Sequence, residues 1–147
     1  MAYQADYPNF MGPAGYMHIS IADWAKFILA HLDAYLLNEK KLLKPGSLKM
    51  LHEPMDSAKW DIDINLGLNY ALGWFTKTNE DGHRLIWHGG RGFAFNAQVV
   101  VDLNSRCAVL LVSTSESPHI HPQTHLLRIS KMIKEYYSGK IELPSII

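Results

Sequence analysis

At 147 residues, 48% of them apolar and 19% charged, the chain has the length of one ordinary domain, enough apolar material for a core and too few charges for a disordered segment. Its 14 Lys and Arg balance 14 Asp and Glu, which argues against nucleic acid or an anionic membrane as the main partner, since both reward a basic face. No apolar run has the length of a membrane span, and Met1-Ala-Tyr-Gln-Ala-Asp6 lacks the basic and apolar regions of a signal peptide, so no compartment can be read.

In chain order, residues 1–16 hold Pro8, Gly12, Pro13 and Gly15 and read as irregular. Ser20, with Asp23 three residues on, predicts a helix N-terminus. Trp24, Phe27, Ile28, His31, Leu32, Tyr35 and Leu36 follow at helical spacing, an apolar stripe of core-packing residues. Asn38 to Gly46 breaks that pattern, and Ser47 starts a short helix through Leu48, Leu51 and His52 that Pro54 ends. Met55 to Asn65 reads as a loop. Strands are then expected over Tyr70–Lys77, His83–His88, Asn96–Leu103 and Arg106–Ser113, with turns at Asn79–Gly82 and Asn104-Ser105. Four consecutive strands on short turns imply an antiparallel meander, and the almost continuously apolar inner strands predict cover on both faces. Gln123 to Tyr137 completes the chain as an amphipathic helix ended by Gly139. The fold class is therefore α+β, an antiparallel sheet flanked by helices. Cys107, the single cysteine, sits in an apolar run that predicts a buried thiol.

The segment Leu85 to Asp102 is the most informative. It reads as a strand, a glycine-rich turn and a returning strand. Backbone bared by Gly89, Gly90 and Gly92 can approach a ligand closely, and His88 stands at the lip of the turn. The bland readings are a tight connection for the glycines, a structural histidine for His88 and a solvated cation for Arg91. Trp60, Trp74 and Trp87 fit a packed sheet face. His119, His121 and His125 invite a metal, but no nearby carboxylate or thiolate completes a set. Neither a metal nor a cofactor is expected.

Several pieces together resemble the penicillin-recognising serine hydrolases: class C-like β-lactamases, DD-peptidases and related esterases. Pro13 to Phe27 is similar to the family's PAGG-x-x-S-x-x-D-x-x-x-F segment, Leu42-Leu-Lys-Pro45 to its LLSP turn, and Tyr70-Ala-Leu-Gly-Trp-Phe75 to its YGLGW strand. His88-Gly-Gly90 falls where the family has K-T-G or H-T-G, and Phe95 and Asp102 follow at matching positions without a gap. The resemblance implies a partial β-lactamase/transpeptidase-like fold. It also implies acyl-enzyme hydrolysis of a β-lactam, peptide amide or ester, with a small-molecule or peptide substrate lying along the edge of that strand. His88 would face the substrate carboxylate or leaving group, the backbone N–H of Arg91 would be an oxyanion donor, and Gly89, Gly90 and Gly92 would line the binding edge.

The departures are equally specific. No serine is followed by lysine three residues on, no G-x-S-x-G elbow occurs, and Tyr7-Pro-Asn9 lies too close to Pro13 to act as the family's Y-x-N motif. Gly89 replaces a hydroxyl that binds the β-lactam carboxylate, which favours esterase-like or peptidase-like relatives. Residues 1–147 are thus expected to form a single C-terminal fragment of the domain, inactive alone. The partners expected are the missing N-terminal portion and, through uncovered sheet, a second copy in a homo-oligomer. The alternative is a non-enzymatic binding or assembly module built on the same sheet.

Overall fold

A computed structural model describes residues 9–32, 36–37, 40–54, 69–91, 95–114, 128, 131–133, 135–137 and 139. The expected loop over Met55–Asn65, Tyr7, Tyr35, Trp60, Gly92, the three histidines of 119–125 and the first half of the closing helix lie outside them.

The opening is more ordered than turn residues suggest. Asn9–Met11 forms a 3₁₀ turn and Gly12–Gly15 a single α-turn (α1). Pro13 sits in the first positions of α1, where its fixed φ suits a helix start and its missing N–H has no helical partner to lose. Helix α2 spans Ile21–His31, and Ser20 caps it: its Oγ accepts from Asp23 N at 3.1 Å and donates to Asp23 Oδ2 at 2.7 Å. A cap of this kind contributes about 1 kcal/mol. Leu32 ends α2 four residues before the apolar stripe does, because Leu36–Leu37 (β1) pairs with Lys40–Lys41 (β2) instead. Spacing alone cannot separate a helix from the ladder that follows it. Helix α3, Pro45–His52, begins two residues ahead of Ser47, since proline at the first helical position is preorganised for that start.

The sheet has five strands in sequential order: β3 (Asn69–Tyr70), β4 (Phe75–Thr78), β5 (Arg84–Arg91), β6 (Asn96–Asp102) and β7 (Cys107–Ser113), each antiparallel to the next. The single strand expected over Tyr70–Lys77 is two. Gly73 adopts φ +83°, and Ala71 N donates to Trp74 O at 2.7 Å, so a tight turn reverses the chain inside the aromatic run. The expected glycine-rich turn does not begin at Gly89: β5 runs straight through Gly89 and Gly90 to Arg91, with Gln98, Ala97 and Asn96 opposite them. Extended backbone needs no special φ, so glycine does not break it here.

Register places Ile86, His88, Val99 and Val101 on one sheet face. That face packs on α2, and Ile28, Leu32, Trp74, Ile86, Val99 and Val101 form the core. Each fully buried aliphatic side chain there contributes roughly 1.5–3 kcal/mol. On the other face Trp87, Val100 and Leu111 are half-buried while Asn96, Gln98 and Asp102 are buried. Cys107 is half-buried at the start of β7, opposite Asp102, instead of fully enclosed: it lies next to the β6–β7 turn, where cover is thinner. Residues 131–133 and 135–137 are helical, and Gly139, at φ +71°, donates to Tyr136 O, which agrees with the expected helix end. No helix among the described residues is long and apolar enough to cross a membrane.

Candidate active site

The strand carrying His88, Gly89, Gly90 and Arg91 outruns its neighbour. Pairing of β4 with β5 ends at Phe75 opposite Trp87, while β6 stays paired with β5 as far as Arg91. Arg84 O accepts from Leu103 N at 3.0 Å. In an antiparallel ladder a residue aims both backbone groups at one neighbour and the next residue aims both the other way. Arg84, Ile86, His88 and Gly90 therefore face β6, whereas Leu85, Trp87, Gly89 and Arg91 face the β4 side. Asn79 N, bonded to His83 O at 2.9 Å, gives the same parity from the other strand. Beyond Trp87 the backbone of Gly89 and the N–H of Arg91 thus emerge on an edge to which no strand among the described residues is paired.

That edge borders a cavity of about 440 Å³ between the sheet, α2 and the Leu72-Gly73 turn. His88, Gly89 and Gly90 of β5, with Ala97 and Val99 of β6, form its sheet side, and Trp24, Phe27, Leu51 and Trp74 much of its apolar side. His88 is exposed, with its ring stacked 5.9 Å from that of Phe75. A Cβ built on Gly90 would meet nothing within 4 Å. Glycine within a strand costs about 0.5–1 kcal/mol relative to alanine, and no neighbouring atom in the fold requires it at that position. What its lack of a side chain does is leave the cavity open.

Three sequence-predicted residues, His88, Gly89 and Gly90, are brought together at one cavity, and Arg91 follows them as an exposed residue on the same strand. Sequence reasoning missed two others. His31 and His52 are both about 5% exposed, and His31 Nδ1 lies 2.8 Å from His52 Nε2. His31 stood in the apolar stripe of α2 and passed for core; only the tertiary fold puts it in the cavity wall. Burial lowers the pKa of His31, and burial, with the nearby imidazole and the Arg84 guanidinium, lowers that of His52 to about 4. Both rings are therefore neutral at pH 7. One N–H serves the pair, since a second facing proton would collide with the first.

A serine, a histidine and an aspartate do meet elsewhere, at the β6–β7 turn, but not as a relay. Ser105 Oγ donates to Asp102 Oδ2 at 2.7 Å, and both oxygens lie on one ring nitrogen, His83 Nδ1, at 3.3 and 2.9 Å. A relay requires the hydroxyl on one nitrogen and the carboxylate on the other. Asp102 Oδ1 also accepts from the backbone N–H of Asn104 and Ser105 at 3.0 Å each, so the cluster clamps the turn.

Residues 1–130 match the family model described as Beta-lactamase. No curated protein and no solved structure matches the chain. A match over most of the chain agrees with the five-stranded antiparallel sheet and the helix packed on one face. The chain belongs to the β-lactamase family and has its serine-hydrolase-like α+β fold.

Proposed function

We propose that this chain is the substrate-binding part of a penicillin-recognising serine hydrolase, which cleaves a β-lactam, peptide amide or ester through an acyl-enzyme. The observation that carries the reading is the backbone edge of β5 from Gly89 to Arg91, opening beside a cavity that His88 borders. An extended substrate would pair with that edge as an added strand. The N–H of Arg91 would donate to the oxyanion, and the His88 imidazole would meet the substrate carboxylate or leaving group. Gly90 would keep the approach clear, with Gly89 along the same edge, and Gly92, outside the described residues, would serve substrate binding as the resemblance implies.

Acylation needs an activated hydroxyl, and no serine in this sequence has the lysine three residues on that would activate it. We therefore read residues 1–147 as one C-terminal fragment whose nucleophile comes from a missing N-terminal portion, and which alone is inactive. The test is hydrolysis of a chromogenic β-lactam and of a short p-nitrophenyl ester, by the chain alone and after mixing with a separately expressed N-terminal portion carrying an S-x-x-K serine. Turnover is expected only in the mixture. Turnover by the chain alone, insensitive to a covalent serine trap, overturns the reading.

A second reading draws on exposed apolar side chains near the start of the described residues. Phe10 is 81% and Met17 85% exposed, with Ile19 and Ile21 about half exposed. Such a cluster favours docking with another chain, the missing portion or a second copy. As a non-enzymatic binding or assembly module the protein would bind a peptidoglycan-like peptide saturably without turnover, and its mass in light scattering would rise with concentration.

A further inference from the structure

We propose that the cavity between α2 and β5 is a binding site for a ring-bearing hydroxyl compound, with His31 Nε2 recognising the hydroxyl and His52 setting the proton that His31 presents. As a statement about substrate, an ester or amide whose apolar part carries a phenol-like group, this rests on the hydrolase reading; as a ligand site it does not.

The wall of the cavity is aromatic and aliphatic apart from a few polar atoms, the pattern of a small-molecule site. Phe27 and Trp74 hold the His31 ring edge-on from two sides, at centroid distances of 4.6 and 5.0 Å. His52, on α3, also packs edge-on against Trp74, at 6.3 Å, and its carbonyl accepts from Arg84 Nη2 at 3.0 Å. Both rings are thereby fixed. The Nδ1 atom of His31 is used by His52. Nε2, on the far side of the ring, has no hydrogen-bond partner among the described residues, and the His31 side chain lines the cavity. A polar ring nitrogen in that setting is stable only if water or a ligand bonds to it.

The pair makes that nitrogen amphoteric. With the shared proton on His31 Nδ1, Nε2 is a bare acceptor; with it on His52 Nε2, His31 carries its own proton on Nε2 and donates. A hydroxyl, which both donates and accepts, satisfies either arrangement, whereas an ammonium or a carboxylate satisfies only one. Because both imidazoles stay neutral at pH 7, the pair itself supplies no charge to draw an ion to Nε2. The volume of about 440 Å³ falls within the usual range for a drug-sized ligand.

The test compares two isosteric probes, p-cresol and p-xylene, titrated into the ¹⁵N-labelled full chain at pH 7 and followed by NMR through the indole signals of Trp24 and Trp74 and the imidazole nitrogens of His31. Both probes are expected to shift the indole signals, p-cresol binding roughly two- to tenfold more tightly, and p-cresol alone is expected to move the Nε2 signal. In His31→Phe the preference should disappear while p-xylene still binds. Should that variant fail to fold, the Nε2 signal of the unaltered chain decides the matter. Equal affinities, an unmoved Nε2, or a preference that survives in His31→Phe would each overturn the proposal. Neither probe reacts, so failed complementation by an N-terminal portion would sink the hydrolase reading and leave this site standing, and equal probe affinities would sink this site alone.

Discussion

Phe75 is the last residue of β4 to pair with β5, and its partner there is Trp87, with the two rings stacked at 5.6 Å. That rung ends one ladder, and β5 continues for four more residues, His88 to Arg91, to which β6 alone of the strands among the described residues is paired. The turn at Gly73 causes the shortfall: it reverses the chain between Ala71 and Trp74, so β4 has no further residues to lay beside β5.

Arg91→Pro tests the edge directly. The N–H that proline removes points away from β6, so no β5–β6 ladder bond is lost, and proline is tolerated at such edge positions. The far-ultraviolet circular dichroism of the variant should match that of the parent chain. In the complemented hydrolase its turnover is expected to fall about a hundred- to a thousandfold. An unchanged rate removes Arg91 from the oxyanion site.

Gly90→Ala separates folding from binding. The added methyl meets no atom within 4 Å and relieves the entropic cost of glycine in a strand, so unfolding in urea should show equal stability or a gain of about 0.5–1 kcal/mol. The same methyl projects into the cavity, and affinity for p-xylene should drop. A loss of stability would mean that something packs where the structure leaves space.

Acid should weaken the fold through the His31–His52 pair. The folded pKa of His52, about 4, lies below its ordinary 6.5, and that of His31 is also lowered, so the unfolded chain binds more protons. This contribution is complete above pH 6.5 and is lost as pH falls from there toward 4, at up to about 1.4 kcal/mol per pH unit for each proton. Urea midpoints measured between pH 7 and 4 should fall, and should fall less in a His31→Phe, His52→Leu double variant. Identical pH profiles would show that the pair is not the cause.

The clamp at the β6–β7 turn gives opposite expectations for its two oxygen-bearing residues. Asp102 is about 2% exposed and its carboxylate bonds to His83, Ser105 and two backbone N–H groups. Asp102→Ala strands those donors and should cost about 3 kcal/mol in denaturant unfolding. Ser105→Ala should leave turnover of the complemented hydrolase unchanged, because the hydroxyl shares a ring nitrogen with the carboxylate it serves. A large loss of rate would make Ser105 a nucleophile after all.

Local signals in the sequence determined much of this protein. Ser20 and Asp23 marked the start of α2, and short turns between apolar runs marked the antiparallel meander. Each depends on residues within a few positions of one another, where propensity and periodicity act. The tertiary structure alone decided three things: that Tyr70–Lys77 is two strands, that β4 stops pairing with β5 at Trp87, and that His31 meets His52 across a separation of 21 residues. The first depends on a glycine entering a positive-φ turn that an aromatic run conceals, and the second on the register that follows. The third depends on packing, which brings two apolar-patterned helices onto Trp74 and puts the His31 side chain in the cavity wall.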